Sequence, residues 1–159
     1  MIFKLNDCLL DVDVERTHAF YERSDVHTIV QQCGCINCQN FDKAIMEVPA
    51  RVTEFLLSLG IDPRKPAEVY NATGQLEKDG TIWYNGWYHV CGTVVESPKT
   101  ERVDDTYFRE HSYSPDPDFH FKVLPILDNA LLHKEFPTPV IQLEIDTHLP
   151  YVLQIPFDG

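Results

Sequence analysis

The sequence predicts an α+β fold: one long or proline-kinked helix packed on a mostly antiparallel sheet of four to five strands, in a single domain over residues 1–159. Three observations lead there. Apolar residues recur at steps of three and four from Phe41 to Leu59. Alternating patterns, or runs of aromatic and β-branched residues, mark residues 81–95, 119–124 and 139–149. A chain of 159 residues, 43% hydrophobic and 24% charged, suits one sizeable core.

Each element has its own justification. Residues 2–14, around the short apolar run Cys8-Leu9-Leu10, read as a strand. Residues 15–32 are polar with scattered aromatics, Phe20 and Tyr21, and read as a loop or short helix entering the cysteines. Phe41, Ala44, Ile45, Val48, Val52, Phe55, Leu56 and Leu59 then line one helical face. Asn37 or Asn40 is placed to cap its start. Gly60 is placed to end it, and Pro63 and Pro66 block continuation. Pro49 removes one hydrogen bond and crowds the carbonyl four residues back. The helix therefore either kinks or splits into two abutting helices, with Pro49 in the first turn of the second.

After Pro66 the period changes. Residues 67–72 read as strand and Lys78-Asp79-Gly80 as a turn. Residues 81–95 read as strand, with Asn85-Gly86 forming either a tight hairpin or a bulge in one long strand. If the strand is continuous, Trp83 and Trp87 share one face, and Tyr84 and Tyr88 the other. Such a stripe serves as sheet core or as a partner-binding surface. Residues 97–118, with many charges and Pro98, Pro115 and Pro117, read as a long connection. Residues 126–136 read as a short helical turn, and Tyr151 to Phe157 as a tail packed on the core.

The densest chemistry lies at Cys33-Gly34-Cys35-Ile36-Asn37-Cys38, at the entrance to the predicted helix. Cys35 and Cys38 form a C-x-x-C half-site, whose turn aims two sulfurs at one point, and Cys33 adds a third sulfur across Gly34. Zinc (Zn2+) takes four ligands and prefers thiolate and imidazole. The first choice for the fourth is Cys91, with His89 on the same strand face as the alternative. His27 and Cys8 are weaker candidates. Four protein ligands would make the metal structural. The same cysteines also admit packed free thiols, or a reactive pair at Cys35 and Cys38 with the thiolate favoured by the helix N-terminus.

Two acidic–histidine runs, Asp116-x-Asp118-x-His120 and Glu144-x-Asp146-x-His148, place like-spaced ligands on one strand face. They read mainly as the solvated face of an antiparallel sheet, and alternatively as a hydrolytic metal site. The sequence holds no H-E-x-x-H, G-x-S-x-G, phosphate loop or G-x-G-x-x-G.

A net charge of −12 disfavours nucleic acid and anionic membrane surfaces as ligands and permits a basic protein partner. The start, Met1 to Asp7, lacks a basic, apolar leader pattern, and no stretch reaches the roughly 20 apolar residues of a spanning helix. The expectation is a cytoplasmic protein, in which clustered cysteines bind metal or do redox work rather than form structural disulfides.

The run Cys33 to Phe41, with a helix ending Leu59-Gly60-Ile61-Asp62-Pro63, resembles a small uncharacterised bacterial protein family with a CGCxNCxNF motif. Gly86-Trp87-Tyr88-His89 and Pro139-Val140-Ile141-Gln142-Leu143-Glu144 resemble it too. That family has no established activity, so the resemblance implies a bacterial cytosolic origin and no residue roles. The expectation is a non-enzymatic, zinc-stabilised acidic protein that binds a protein partner, of an immunity or inhibitor type that caps a basic toxin or nuclease. The alternative is an enzyme: a thiol oxidoreductase at Cys35 and Cys38, or a metal-dependent hydrolase using Glu144, Asp146 and His148.

Overall fold

The computed structural model describes residues 1–96, 113–125 and 135–159. Two strands, β1 (Ile2–Leu5) and β2 (Cys8–Val12), open the chain as a hairpin. Asn6 takes φ 55° in its two-residue turn, a conformation asparagine tolerates. Four short helices follow: α1 (Val14–Tyr21), α2 (Ile29–Gln32), α3 (Ile36–Ala44) and α4 (Ala50–Ser58). The remaining strands are β3 (Glu68–Asn71), β4 (Thr81–Glu96), β5 (Tyr113–Asp116), β6 (Phe119–Pro125) and β7 (Val140–Pro150). All seven join one antiparallel sheet, ordered β1-β2-β4-β7-β6-β5, with β3 also on β4. Among the described residues no helix is long and apolar enough to cross a membrane.

This corrects the expected architecture of one long or kinked helix on four to five strands. The apolar face from Phe41 to Leu59 is shared by two separate nine-residue helices. Pro49 is the N-cap of α4, at φ −50° and ψ 137°, rather than a first-turn residue. Proline has no N–H to continue a helix and biases the preceding residue toward extended backbone, so α3 ends before it. The apolar phase survives because both helices lie on the same core, with Phe41, Ala44, Ile45, Val52, Leu56 and Leu59 all buried. Each helix is too short to be stable alone, so packing on the sheet holds it. The strand count rises because residues 2–14 form two strands instead of one, and β5, inside the expected connection, forms the outer edge. Pro115 is tolerated there because an edge strand can spare an N–H. The expected connection at 97–118 and helical turn at 126–136 fall mostly outside the described residues.

β4 is one continuous strand of 16 residues, so no hairpin forms at Asn85-Gly86. Its partner β7 runs beside it from Thr81↔Pro150 to Cys91↔Val140. On the other edge, β3 covers Tyr84 to Trp87 and β2 takes over at Gly92. Gly86 is explained by close approach: a Cβ there would lie 2.2 Å from the Glu68 carbonyl oxygen of β3. Gly60 ends the helical region as expected, at φ +88°. A side chain there would meet the Val14 carbonyl oxygen at 2.6 Å, so the same glycine lets α1 pack closely.

The main core lies between the helices and one sheet face, and a second buried group on the other face includes His89, Cys91 and Phe136. Tyr84 and Tyr88 point inward with Ile82 and Val90, while Trp83 and Trp87 take the opposite, half-buried face. The Tyr88 hydroxyl donates to the Pro63 carbonyl at 2.6 Å, entirely inside the protein. Tyr88→Phe keeps the ring but leaves that carbonyl without its donor. The expected loss is about 1–2 kcal/mol of unfolding free energy, read by urea denaturation.

Candidate metal centre

The cysteines are gathered by a break between two helices. Thr28 N–H donates to the Gln31 side chain at 2.8 Å, an arrangement that starts α2. α2 lasts one turn, and Ile29 N–H anchors it to the Arg64 carbonyl at 2.9 Å. Cys33 closes it with extended backbone, and Cys35 is the N-cap of α3. Cys38 is the third residue of α3, so one short fold-back brings all three cysteines together. Their sulfurs lie within 4.8 Å of one another. Cys33 and Cys35 are exposed, and Cys38 is buried at 4% exposure. All five cysteines are free thiols.

The three sulfurs differ in acidity. The Cys35 backbone N–H and the thiols of Cys35 and Cys38 hydrogen-bond the Cys33 sulfur and hold its pKa below the ordinary thiol value. Burial pushes the Cys38 thiol well up, and its hydrogen bonds to Cys35 and Cys33 push in the same direction. The buried thiol thus serves as donor and the exposed one as acceptor. The positive end of the α3 dipole faces this group and favours negative charge there. Gly34 does not supply a bend that only glycine permits: its backbone is not left-handed, and among the described residues a Cβ would meet nothing within 4 Å beyond its chain neighbours.

Side chains below the cysteines fix this loop to the sheet. The Tyr84 hydroxyl, from near the start of β4, donates to the Asn37 carbonyl at 2.7 Å. Asn40 is fully buried inside α3. Its amide donates to the Tyr84 hydroxyl (3.2 Å) and to the Pro150 carbonyl (3.1 Å), and its carbonyl accepts the Val152 N–H (2.8 Å). Asn71 of β3 donates to the Asn37 side chain at 3.2 Å, and Arg64 grips Asp42 of α3 through two hydrogen bonds. Sequence reasoning placed Asn40 only as a helix cap. Its signal was an asparagine on the apolar face, one residue before Phe41, where a buried amide needs partners.

Cys91 and His89 are not gathered with the cluster. Tyr84 marks the point of β4 beneath the cysteines. Cys91 is seven residues further along the strand, about 23 Å in extended backbone, and on its opposite face. There it is buried against α1, with its N–H donating to the Thr17 hydroxyl at 3.0 Å. His89 lies on the same face as Cys91 and is fully buried; its backbone N–H donates to the Tyr21 hydroxyl, and its ring sits 5.6 Å from Phe136. Cys8 is at the start of β2, and His27 lines a separate cavity with Phe20, Arg23 and Glu135.

The acidic–histidine runs do not converge either. Among the described residues, Cys33, Cys35 and Cys38 are the one group of three or more metal-ligating side chains with clustered ligand atoms. Asp116 turns to Arg51, which donates to it through two nitrogens. His120 meets Ser114 at 2.6 Å. Asp146 accepts the Trp83 indole N–H at 2.7 Å, and His148 stacks on the Trp83 ring. These groups have local structural partners.

Arg51 holds the Asp116 carboxyl below the usual carboxylate range, helped by the Asp118 N–H. A carboxylate whose folded pKa is depressed contributes stability above its unfolded pKa. That contribution disappears as pH falls through the folded value. Because Arg51 is largely exposed, Arg51→Ala is expected to cost no more than about 1 kcal/mol at neutral pH. The difference should shrink as pH falls through the depressed Asp116 value, as seen by paired urea titrations at neutral and acidic pH.

No protein-family model, no curated protein and no solved structure matches the chain.

Proposed function

We propose that this is a non-enzymatic metal-binding protein in which Cys33, Cys35 and Cys38 hold zinc, and that its acidic surface serves a basic protein partner. The observation that carries the metal reading is the convergence of three sulfurs within 4.8 Å on the N-terminal turn of α3. A thiolate-rich set favours zinc and other soft ions over magnesium or calcium. The bound metal would tie the exposed Cys33–Cys35 loop to α3, and through Tyr84 and Asn40 to the sheet. The net charge of −12 supports a partner of opposite charge.

The test is metal content and thiol reactivity on untagged protein purified without chelator. One zinc per chain, with Cys33, Cys35 and Cys38 protected from alkylation until chelator is added, is the expected outcome. Cys91→Ser should keep its zinc. Absence of metal, with thiols that pair on mild oxidation, would replace this reading with the thiol oxidoreductase. The partner is sought by pull-down at low and high salt, and a basic protein released by salt is the expected capture.

A further inference from the structure

We infer that the Cys33–Cys35–Cys38 centre keeps one coordination position open to the outside, and that a neutral nitrogen donor, the imidazole of a partner protein's histidine, fills it. This rests on the metal reading above and adds the class of its fourth ligand.

Two observations point to an open position. Among the described residues no further cysteine, histidine or carboxylate places a ligand atom with the three sulfurs. Zinc nevertheless takes four donors. The cluster also faces outward: Cys33 and Cys35 are exposed, and among the described residues only chain neighbours approach the position a Gly34 side chain would take. Cys91 and His89, the alternatives read from the sequence, are buried elsewhere on β4 and are not gathered with the three sulfurs.

Charge selects the donor. Three thiolates and a divalent ion sum to −1, on a chain that already carries −12. A fourth anionic ligand would meet like charge on the metal centre and around it. Neutral imidazole brings no charge and is a preferred zinc donor. A histidine on a basic surface would bring the coordinating group and the complementary charge together.

The test uses cobalt(II) as a spectroscopic substitute for zinc, with imidazole and azide as neutral and anionic probes. Cobalt-loaded protein is expected to show sulfur-to-cobalt charge-transfer absorption, and Cys91→Ser should show the same absorption. Imidazole should shift the visible cobalt bands saturably, at a concentration about tenfold or more below that required for azide. Bands unmoved by imidazole would overturn the open position. Azide acting at the lower concentration would overturn the preference for a neutral donor. Failure of cobalt to produce any thiolate charge-transfer band would instead overturn the metal reading itself, so the two failures are distinguishable.

Discussion

Cys38→Ser is expected to abolish zinc binding at micromolar metal. Structural zinc sites owe about 10–16 kcal/mol of apparent binding free energy to their whole ligand set. Removing one of three thiolates should therefore lower affinity by about a thousandfold or more, since each factor of ten is about 1.4 kcal/mol. Cys38 is the most consequential of the three because it is the buried one, held on α3 beside the core. Exposed Cys33 provides the control: Cys33→Ser should lose zinc equally while leaving the core untouched. Calorimetric titration with zinc reads the affinity. Thermal melts with and without zinc read its coupling to folding. A metal present at a thousand times its dissociation constant stabilises by about 4 kcal/mol. That increment should appear in the wild type and be missing in both variants. Acidification should weaken zinc binding, because protons compete for the thiolates. A Cys38→Ser protein that retained stoichiometric zinc would exclude the site.

Asn40→Ala is expected to destabilise the fold more than Tyr88→Phe or Arg51→Ala, while leaving every cysteine in place. One side chain serves Tyr84, Pro150 and Val152, and so joins α3 to β4 and to the chain leaving β7. Alanine favours the helix slightly. That small gain is offset many times over. The Val152 N–H and the Pro150 carbonyl each lose a partner in partly buried surroundings, at about 1–3 kcal/mol for an unsatisfied group. The expected net loss is about 3 kcal/mol in denaturant unfolding. A Tyr84→Phe variant shares the Asn40 contact, so the double variant should cost less than the sum of the singles. Full additivity would show that Asn40 and Tyr84 do not act as one network. Zinc affinity should fall in Asn40→Ala as well, but by far less than in Cys38→Ser, because all three ligands remain.

Local features of the chain were legible without the structure. The cysteine spacing, the apolar stripe from Phe41 to Leu59, the terminating Gly60 and the opposed faces of Trp83/Trp87 and Tyr84/Tyr88 each depend on residues close in sequence. Period and turn chemistry act over a few residues, so they can be read directly. Helix length was misjudged because an apolar stripe reports which side faces the core. It does not report whether the backbone is continuous, and Pro49 decided that. The N-terminal hairpin was legible in part. Asn6-Asp7 between apolar segments is a turn signal, but pairing of β2 with β4 joins residues 80 or more positions apart.

By itself, the sequence determined that three cysteines fall within one helix turn and the residues before it, that one apolar stripe runs from Phe41 to Leu59, and that the chain is acidic. Only the tertiary structure decided what stands near those cysteines. Cys91 and His89 had suitable chemistry and a suitable strand, yet strand parity and the rise of about 3.3 Å per residue carry them to the other face of β4 and well along it from Tyr84. Asn40 and Tyr84, separated by 44 positions, became the support of the cluster. The reason is physical: ligand identity is a property of single residues, whereas convergence depends on the sheet register that places distant residues side by side.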